Sequence, residues 1–478
     1  MCDRSTGGGE MNLFQRLFRV VEPAPSVTAW SGSMSASNLL SKLILSVPLL
    51  LIALFAWHQS NFQYDVYVEG NYGLIVYRLS VAAVLMLSII GSVKSYPKSL
   101  VQMVIGYILL VVLYGVTEEL ITNQGKLLSF VEAAVFSLMM LPIISDKRML
   151  YLFIRVNFVL GTVLIALNTV PVLHWLGLLS LPNEQVLRLG NDRGDYYFLD
   201  PSHFGLFGLT ESFIYPGSPI DVPRLQGYSL EPLHWSYFVF LTIASGLLLL
   251  SARSRPRRSI ATALLFGLFA IHLYFVFSMT AFITVAIWAS FLELIFILRK
   301  YPLLAKRQAL YGLIVLILLP GLLIPFALVL VPDVGVLLVA DDVLNKGSNW
   351  ADKIDFLRLG VSLYTRFLPT FGDVPSASHN LILSTYIQYG YVLSAPLVAY
   401  MWIFIKRASA GVPFAITAAM SITILAQILI VPLQFYYPSG AMWMLMVVGA
   451  AYHSRPGRQV AAMSATGIPA PRVPVQLG

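Results

Sequence analysis

The chain has 478 residues, of which 58% are hydrophobic and 11% charged, against roughly 25% charged in a soluble globular chain. With a mean hydropathy of +0.77 and a formal net charge of +8, this composition excludes a water-soluble globular enzyme and a disordered chain. The lone cysteine, Cys2, excludes a disulfide scaffold. The apolar runs are continuous rather than alternating at period two, which argues against a membrane β-barrel. They are long enough, at about 17–25 residues, to cross roughly 30 Å of hydrocarbon as helix. The expected fold class is therefore all-α: a polytopic membrane protein with about twelve transmembrane helices, since in lipid each segment must satisfy its own backbone polar groups.

In chain order, residues 1–38 form a first segment ahead of the apolar runs. Within it, Leu13, Phe14, Leu17, Phe18 and Val21 recur at helical spacing, with Gln15, Arg16 and Arg19 opposite. That pattern predicts an interfacial amphipathic helix. A polar, Ser-rich stretch precedes the first apolar run, so no cleavable signal peptide is expected. Residues 39–453 hold the predicted spans: 39–57, 74–92, 100–116, 127–144, 149–177, 234–251, 259–277, 280–298, 309–331, 380–405, 412–432 and 439–452. The fifth is long enough to be tilted or broken near Pro171. Residues 454–478 read as a disordered tail.

Orientation follows from Lys and Arg in the short loops. With the N-terminus cytoplasmic, Lys94, Lys98, Lys147, Arg148, the Arg253–Arg258 cluster, Arg299, Lys300, Lys306, Arg307, Lys406, Arg407 and the tail arginines all fall on one side. That side holds 22 basic and 5 acidic residues, a balance of +17. The other holds 9 basic and 18 acidic, a balance of −9, and together they account for the net +8. The positive charge is thus a topology signal rather than a nucleic-acid footprint, and both termini are expected in the cytoplasm. No internal repeat of the kind that builds two-fold transporters is visible.

Two outer loops are large, 178–233 and 332–379. Cytoplasmic loops are short and carry no Gly-rich phosphate loop, so an enzyme of this plan works at its outer face. Nucleotide-activated sugars are not available there, and a donor must arrive already activated. The first loop carries Arg193 and ends in Arg224-Leu225-Gln226-Gly227-Tyr228-Ser229-Leu230-Glu231-Pro232-Leu233-His234. A guanidinium at Arg224 can hold a phosphate through paired hydrogen bonds or pair with a loop carboxylate. Glu231 is a candidate general base, with His234 three residues on. The second loop carries Arg358 and Arg366, eight residues apart, and ends in Ser378-His379-Asn380. An imidazole at His379 can exchange a proton with a hydroxyl or donate to a phosphate, or it can be an interfacial belt residue. Asn380 can orient it or cap the next span. Arg78 lies inside the second predicted span, where charge either meets a partner or snorkels to the interface. No metal-binding spacing is present in the outer loops, and neither metal nor cofactor is expected.

The whole pattern resembles the O-antigen polymerase and O-antigen ligase superfamily of bacterial envelope glycan enzymes. The resemblance lies in about twelve spans with both termini inside, in the Arg224…Gly227 motif followed by Glu231-Pro232, and in Ser378-His379-Asn380 leading to Tyr389-Gly390-Tyr391. It implies a metal-independent, inverting glycosyltransferase of the multi-span, type C-like kind in the bacterial inner membrane, active at the periplasmic face. Its donor is a glycan on undecaprenyl diphosphate, and its acceptor is another lipid-linked repeat (polymerase) or a lipid A core (ligase). A flippase and a chain-length regulator are the partner proteins it implies; nucleic acid is not a partner. By position, Arg224 would contact the donor diphosphate, His379 would sit beside the reacting centre, and Arg366 would be a further phosphate contact. One departure stands out. The family often carries Ser-Arg near the end of the seventh span, whereas this chain has Phe277-Ser278-Met279-Thr280. Arg78, Arg193 or Arg358 would have to stand in, or the site would bind diphosphate differently. A polymerase for exopolysaccharide, O-antigen or capsule is the leading expectation, a ligase the second, and a lipid-linked sugar transporter or flippase the rival from another class.

Overall fold

The computed structural model describes residues 36–59, 96–122, 127–170, 173, 177–179, 186–191, 194–199, 232–251, 267–274, 279–300, 381–409, 412–430 and 435–454. These residues are almost all helical. In chain order the helices are α1 (Ala36–Gln59), α2 (Lys98–Thr122), α3 (Leu127–Ser145), α4 (Lys147–Leu167), α5 (Pro232–Ser251), α6 (Met279–Lys300), α7 (Leu381–Ser409), α8 (Phe414–Leu425) and α9 (Pro438–His453). A further helical segment covers 267–274, and α8 runs on into a π-helical turn, Ala426–Ile430.

The ends of these helices follow local chemistry. Asp146 separates α3 from α4 and caps α4, its carboxylate accepting from the backbone N–H of Arg148 at 2.6 Å and of Met149 at 3.0 Å. α4 stops at Leu167, ahead of Pro171, so the long fifth predicted span is broken there. α2 is longer than predicted. Its 25 residues make a rod of about 37 Å, more than the roughly 30 Å of a hydrocarbon core. Two stretches, Lys98–Leu120 and Lys147–Leu167, are long and apolar enough to cross a membrane. Five shorter apolar stretches accompany them: Ser46–Trp57, Phe130–Ser145, Trp235–Ser251, Thr284–Glu293 and Phe414–Ile430.

The side-chain distribution on α2 is inverted relative to a water-soluble helix. Ile105, Leu109, Val112, Val116 and Leu120 form its outward stripe, with Leu109 64% and Leu120 71% exposed. The inward stripe of Val104, Tyr107, Val111, Tyr114 and Glu118 holds the polar atoms. Apolar groups outside and polar groups turned inward suit lipid, where a polar side chain gains only by facing its own bundle.

Contacts fix the relative directions of the helices. α2 and α7 are antiparallel: Arg407 bonds the Ser99 carbonyl at 2.6 Å, and Tyr389 at the other end bonds Glu118. α4 and α5 are antiparallel as well, with Gly161 against Thr242 and Gly246 against Phe158. α3 and α9 are parallel, since Phe130 meets Tyr436 while Ile144 meets Gly449 and His453. α5, α7 and α9 therefore enter the bundle from one end. Two helices entering from the same end require an odd number of passes between them; of the three spans predicted there, 309–331 lies outside the described residues.

The core of the bundle is aromatic. Trp57 stacks on Phe238 at 4.8 Å and meets Trp443 edge-on at 6.4 Å. Its indole N–H donates to the Asn157 side chain at 3.0 Å. The described part of loop 178–233 departs from an all-helical reading. β1 (Val186–Asn191) and β2 (Gly194–Leu199) pair antiparallel, Val186 opposite Leu199 and Asn191 opposite Gly194. Two residues along the chain separate the paired Asn191 and Gly194, so the two strands follow each other directly.

Candidate functional site

Most of the side chains proposed from sequence lie outside the described residues: Arg78, Arg193, Arg224, Gly227, Glu231, Arg358, Arg366, His379 and Asn380. His234 falls in the first turn of α5. The structure does describe the helices into which both motif-bearing loops return, and the polar groups around their ends.

Three polar clusters gather at the end of the bundle where α5, α7 and α9 begin. In the first, the Tyr389 hydroxyl donates to the Glu118 carboxylate at 2.6 Å, and both side chains are buried, at 2% and 7% exposure. Tyr114 leans on the Tyr389 ring at 5.0 Å and on Tyr436 at 5.4 Å, and its hydroxyl donates to the Leu393 carbonyl. Tyr436 in turn shares a hydrogen bond with Thr385 at 3.0 Å. In the second, the Gln427 amide lies within the π-helical turn and donates to the Tyr237 hydroxyl at 2.6 Å, which also bonds Ser439. A π-turn rotates the helix face locally, which is how Gln427 comes to face α5. In the third, the His272 imidazole lies between Thr169 and Trp235, 2.9 and 3.1 Å away.

The opposite end is different in kind. Arg407 reaches Gln102 at 3.0 Å as well as Ser99, and Lys98, Lys147, Arg148 and Lys406 stand exposed there. Among the described helices, Lys98, Lys147, Arg148, Lys406 and Arg407 gather at this end together with Asp146, while Glu118 and Glu119 lie at the other. Among the described residues no group of three His, Cys, Asp or Glu side chains forms a metal site.

Ser439, in the first turn of α9, bonds Tyr237 of α5, and Tyr436, just before α9, bonds Thr385 of α7. The start of α5 follows Arg224 and Glu231, and the start of α7 follows His379 and Asn380. The N-terminal parts of α5 and α7 are therefore each hydrogen-bonded to the same short segment, 436–439. Sequence reasoning missed the buried groups Glu118, His272, Tyr237 and Gln427. Their only signal was polarity inside apolar runs, and the pairing partners lie 37 to 271 residues away along the chain.

The clusters' contribution to stability is open to measurement. Tyr389→Phe removes a buried donor from a carboxylate, a change that costs about 1–3 kcal/mol. The expected result is a lower unfolding midpoint in detergent for Tyr389→Phe than for wild type.

Comparisons of the chain with protein-family models, with curated proteins and with solved structures return no match. The functional reading therefore stands on the residues and the geometry.

Proposed function

We propose that the chain is a twelve-span glycosyltransferase of the bacterial inner membrane. It lengthens a polysaccharide at the periplasmic face by transferring a glycan from undecaprenyl diphosphate to a hydroxyl of another lipid-linked repeat. One observation carries the reading. The helices that follow the Arg224 and His379 motifs begin at the same end of the bundle, away from the basic residues, and each is hydrogen-bonded to segment 436–439.

The chemistry follows from the donor. The acceptor oxygen attacks the anomeric carbon, the bond from that carbon to the diphosphate oxygen breaks, and the configuration inverts. The hydroxyl proton passes to His379 or Glu231 acting as general base. Negative charge grows on the departing lipid diphosphate, and Arg224, with Arg366 and one of Arg78, Arg193 or Arg358, neutralises it in a low-dielectric setting. His234, Gly227 and Asn380 shape the two approaches.

Purified protein given lipid-linked repeat units tests the class. A product ladder is the polymerase result, transfer only to a lipid A core is the ligase result, and the absence of any covalent product points to transport. Orientation has its own test. With Cys2 replaced by Ser, a cysteine at position 119 is expected to react with a membrane-impermeant thiol reagent from the periplasmic side. Cysteines at 98 and 147 should react only after the membrane is opened. The reverse pattern would invert the topology and remove the periplasmic site.

A further inference from the structure

We propose that His272 is a positioning residue that ties together the two stems of the first outer loop, the end of α4 and the start of α5; this rests on the functional reading above. His272 belongs to the helical segment 267–274 and is fully buried. Thr169 follows the end of α4, where the chain leaves for loop 178–233, and Trp235 is in the first turn of α5, where the chain returns. The Trp235 indole N–H donates to His272 Nδ1 at 3.1 Å, and Thr169 Oγ1 lies 2.9 Å from His272 Nε2.

The bond directions are determined by chemistry. An indole nitrogen only donates, so Nδ1 must be the unprotonated, accepting nitrogen. Nε2 then carries the hydrogen and donates to Thr169 Oγ1, whose own hydrogen goes to the Ile165 carbonyl at 3.0 Å. The result is a one-way relay from Trp235 through His272 and Thr169 to the backbone of α4. Only a neutral imidazole in the Nε2–H form satisfies it. The Trp235 and His272 rings also pack, with centroids 5.9 Å apart and planes tilted by 54°. A residue serving only to fill space here would need no polar atoms. His272 instead uses both nitrogens, one on each stem of a loop that carries Arg193, Arg224 and Glu231. Trp235 is four residues along the chain from Glu231, a candidate base of the proposed function.

The test uses the full-length protein in lipid nanodiscs and compares His272→Phe, His272→Asn and His272→Gln with wild type. Two readouts are taken: trypsin cleavage within 178–233, mapped by mass spectrometry, and kcat/KM for lipid-linked repeats. His272→Phe is expected to raise loop cleavage about 10-fold and lower kcat/KM similarly, the scale expected for buried hydrogen bonds lost together. Asn keeps an acceptor for Trp235 and Gln keeps a partner for Thr169, so each is expected to fall between Phe and wild type on both readouts. Cleavage that rises equally across the whole chain in all three variants would overturn the proposal in favour of a general packing role. Unchanged loop cleavage in all three would also overturn it. If wild type makes no polymer, the enzymatic reading fails, while the cleavage readout still decides the positioning role.

Discussion

Alanine at His379 or at Arg224 is expected to abolish measurable chain growth while leaving expression and thermal unfolding close to wild type. A positioned general base contributes about 10²–10⁴-fold. Removing a fixed group that stabilises charge developing in the transition state costs about 10²–10³-fold. The two losses should differ in character. Without the imidazole the acceptor hydroxyl keeps its proton, so the loss falls on kcat and is partly recovered at higher pH, where the hydroxyl gives up its proton more readily to water. Without the guanidinium the diphosphate is held less firmly both before and during departure, so KM for the donor rises as kcat falls. Arg155→Gln is the control, because Arg155 is an exposed side chain in the basic-end half of α4. Product ladders from a reconstituted reaction read all three. Full activity in both alanine variants, at normal protein levels, would falsify the site assignment.

The second large effect is on the fold. α4 and α5 pack through Gly161, where an added Cβ would meet the Thr242 side chain, 2.9 Å from Cγ2 and 3.0 Å from Cβ, with Oγ1 closer still. Thr242 is itself fully buried, its hydroxyl committed to the Phe238 carbonyl at 2.8 Å. Neither partner can turn aside, so Gly161→Leu must push the helices apart. Overpacking of this kind costs about 1–3 kcal/mol, and more where relief is blocked. The expected outcome is loss of monodisperse protein on size-exclusion chromatography. Gly161→Ala should be milder, and Thr242→Ala should offset part of it by removing the two nearest atoms. A double-mutant cycle of Gly161→Ala and Thr242→Ala measures that coupling. Strictly additive effects would mean that the close contact is not what holds the helices at this spacing. Small residues at such crossings are how membrane helices approach closely, since lipid supplies no hydrophobic drive to press them together.

Particular elements show how far the sequence could be read. α3 was expected at 127–144 and occupies Leu127–Ser145, and α9, expected at 439–452, occupies Pro438–His453. Continuous apolar runs bounded by charge or proline leave little freedom, because a helix is the only way to satisfy the backbone within each run. The β1–β2 hairpin was not foreseen. Its strands are short, and their alternation is blurred by Tyr196-Tyr197-Phe198, so no period stood out in a loop read for its charges. The π-turn at Ala426–Ile430 also left no trace in the sequence, since it is one turn of altered register inside a run of apolar residues. Glu118 was counted only as an outer-side charge. That it is buried under Tyr389 depends on a residue 271 positions away.

For the described residues, the sequence by itself determined the predominantly helical character and the approximate limits of most of the helices. Each of these depends on composition within one run or on the charge beside it. Which helices touch was decided only by the tertiary structure: α2 against α7, α4 against α5, and α5 and α7 both bonded to segment 436–439. The reason is that apolar surfaces attract without direction. Specific neighbours are chosen by close steric fit, as at Gly161 and Thr242, and by hydrogen bonds with geometry, as at His272, and both join residues that no local pattern relates.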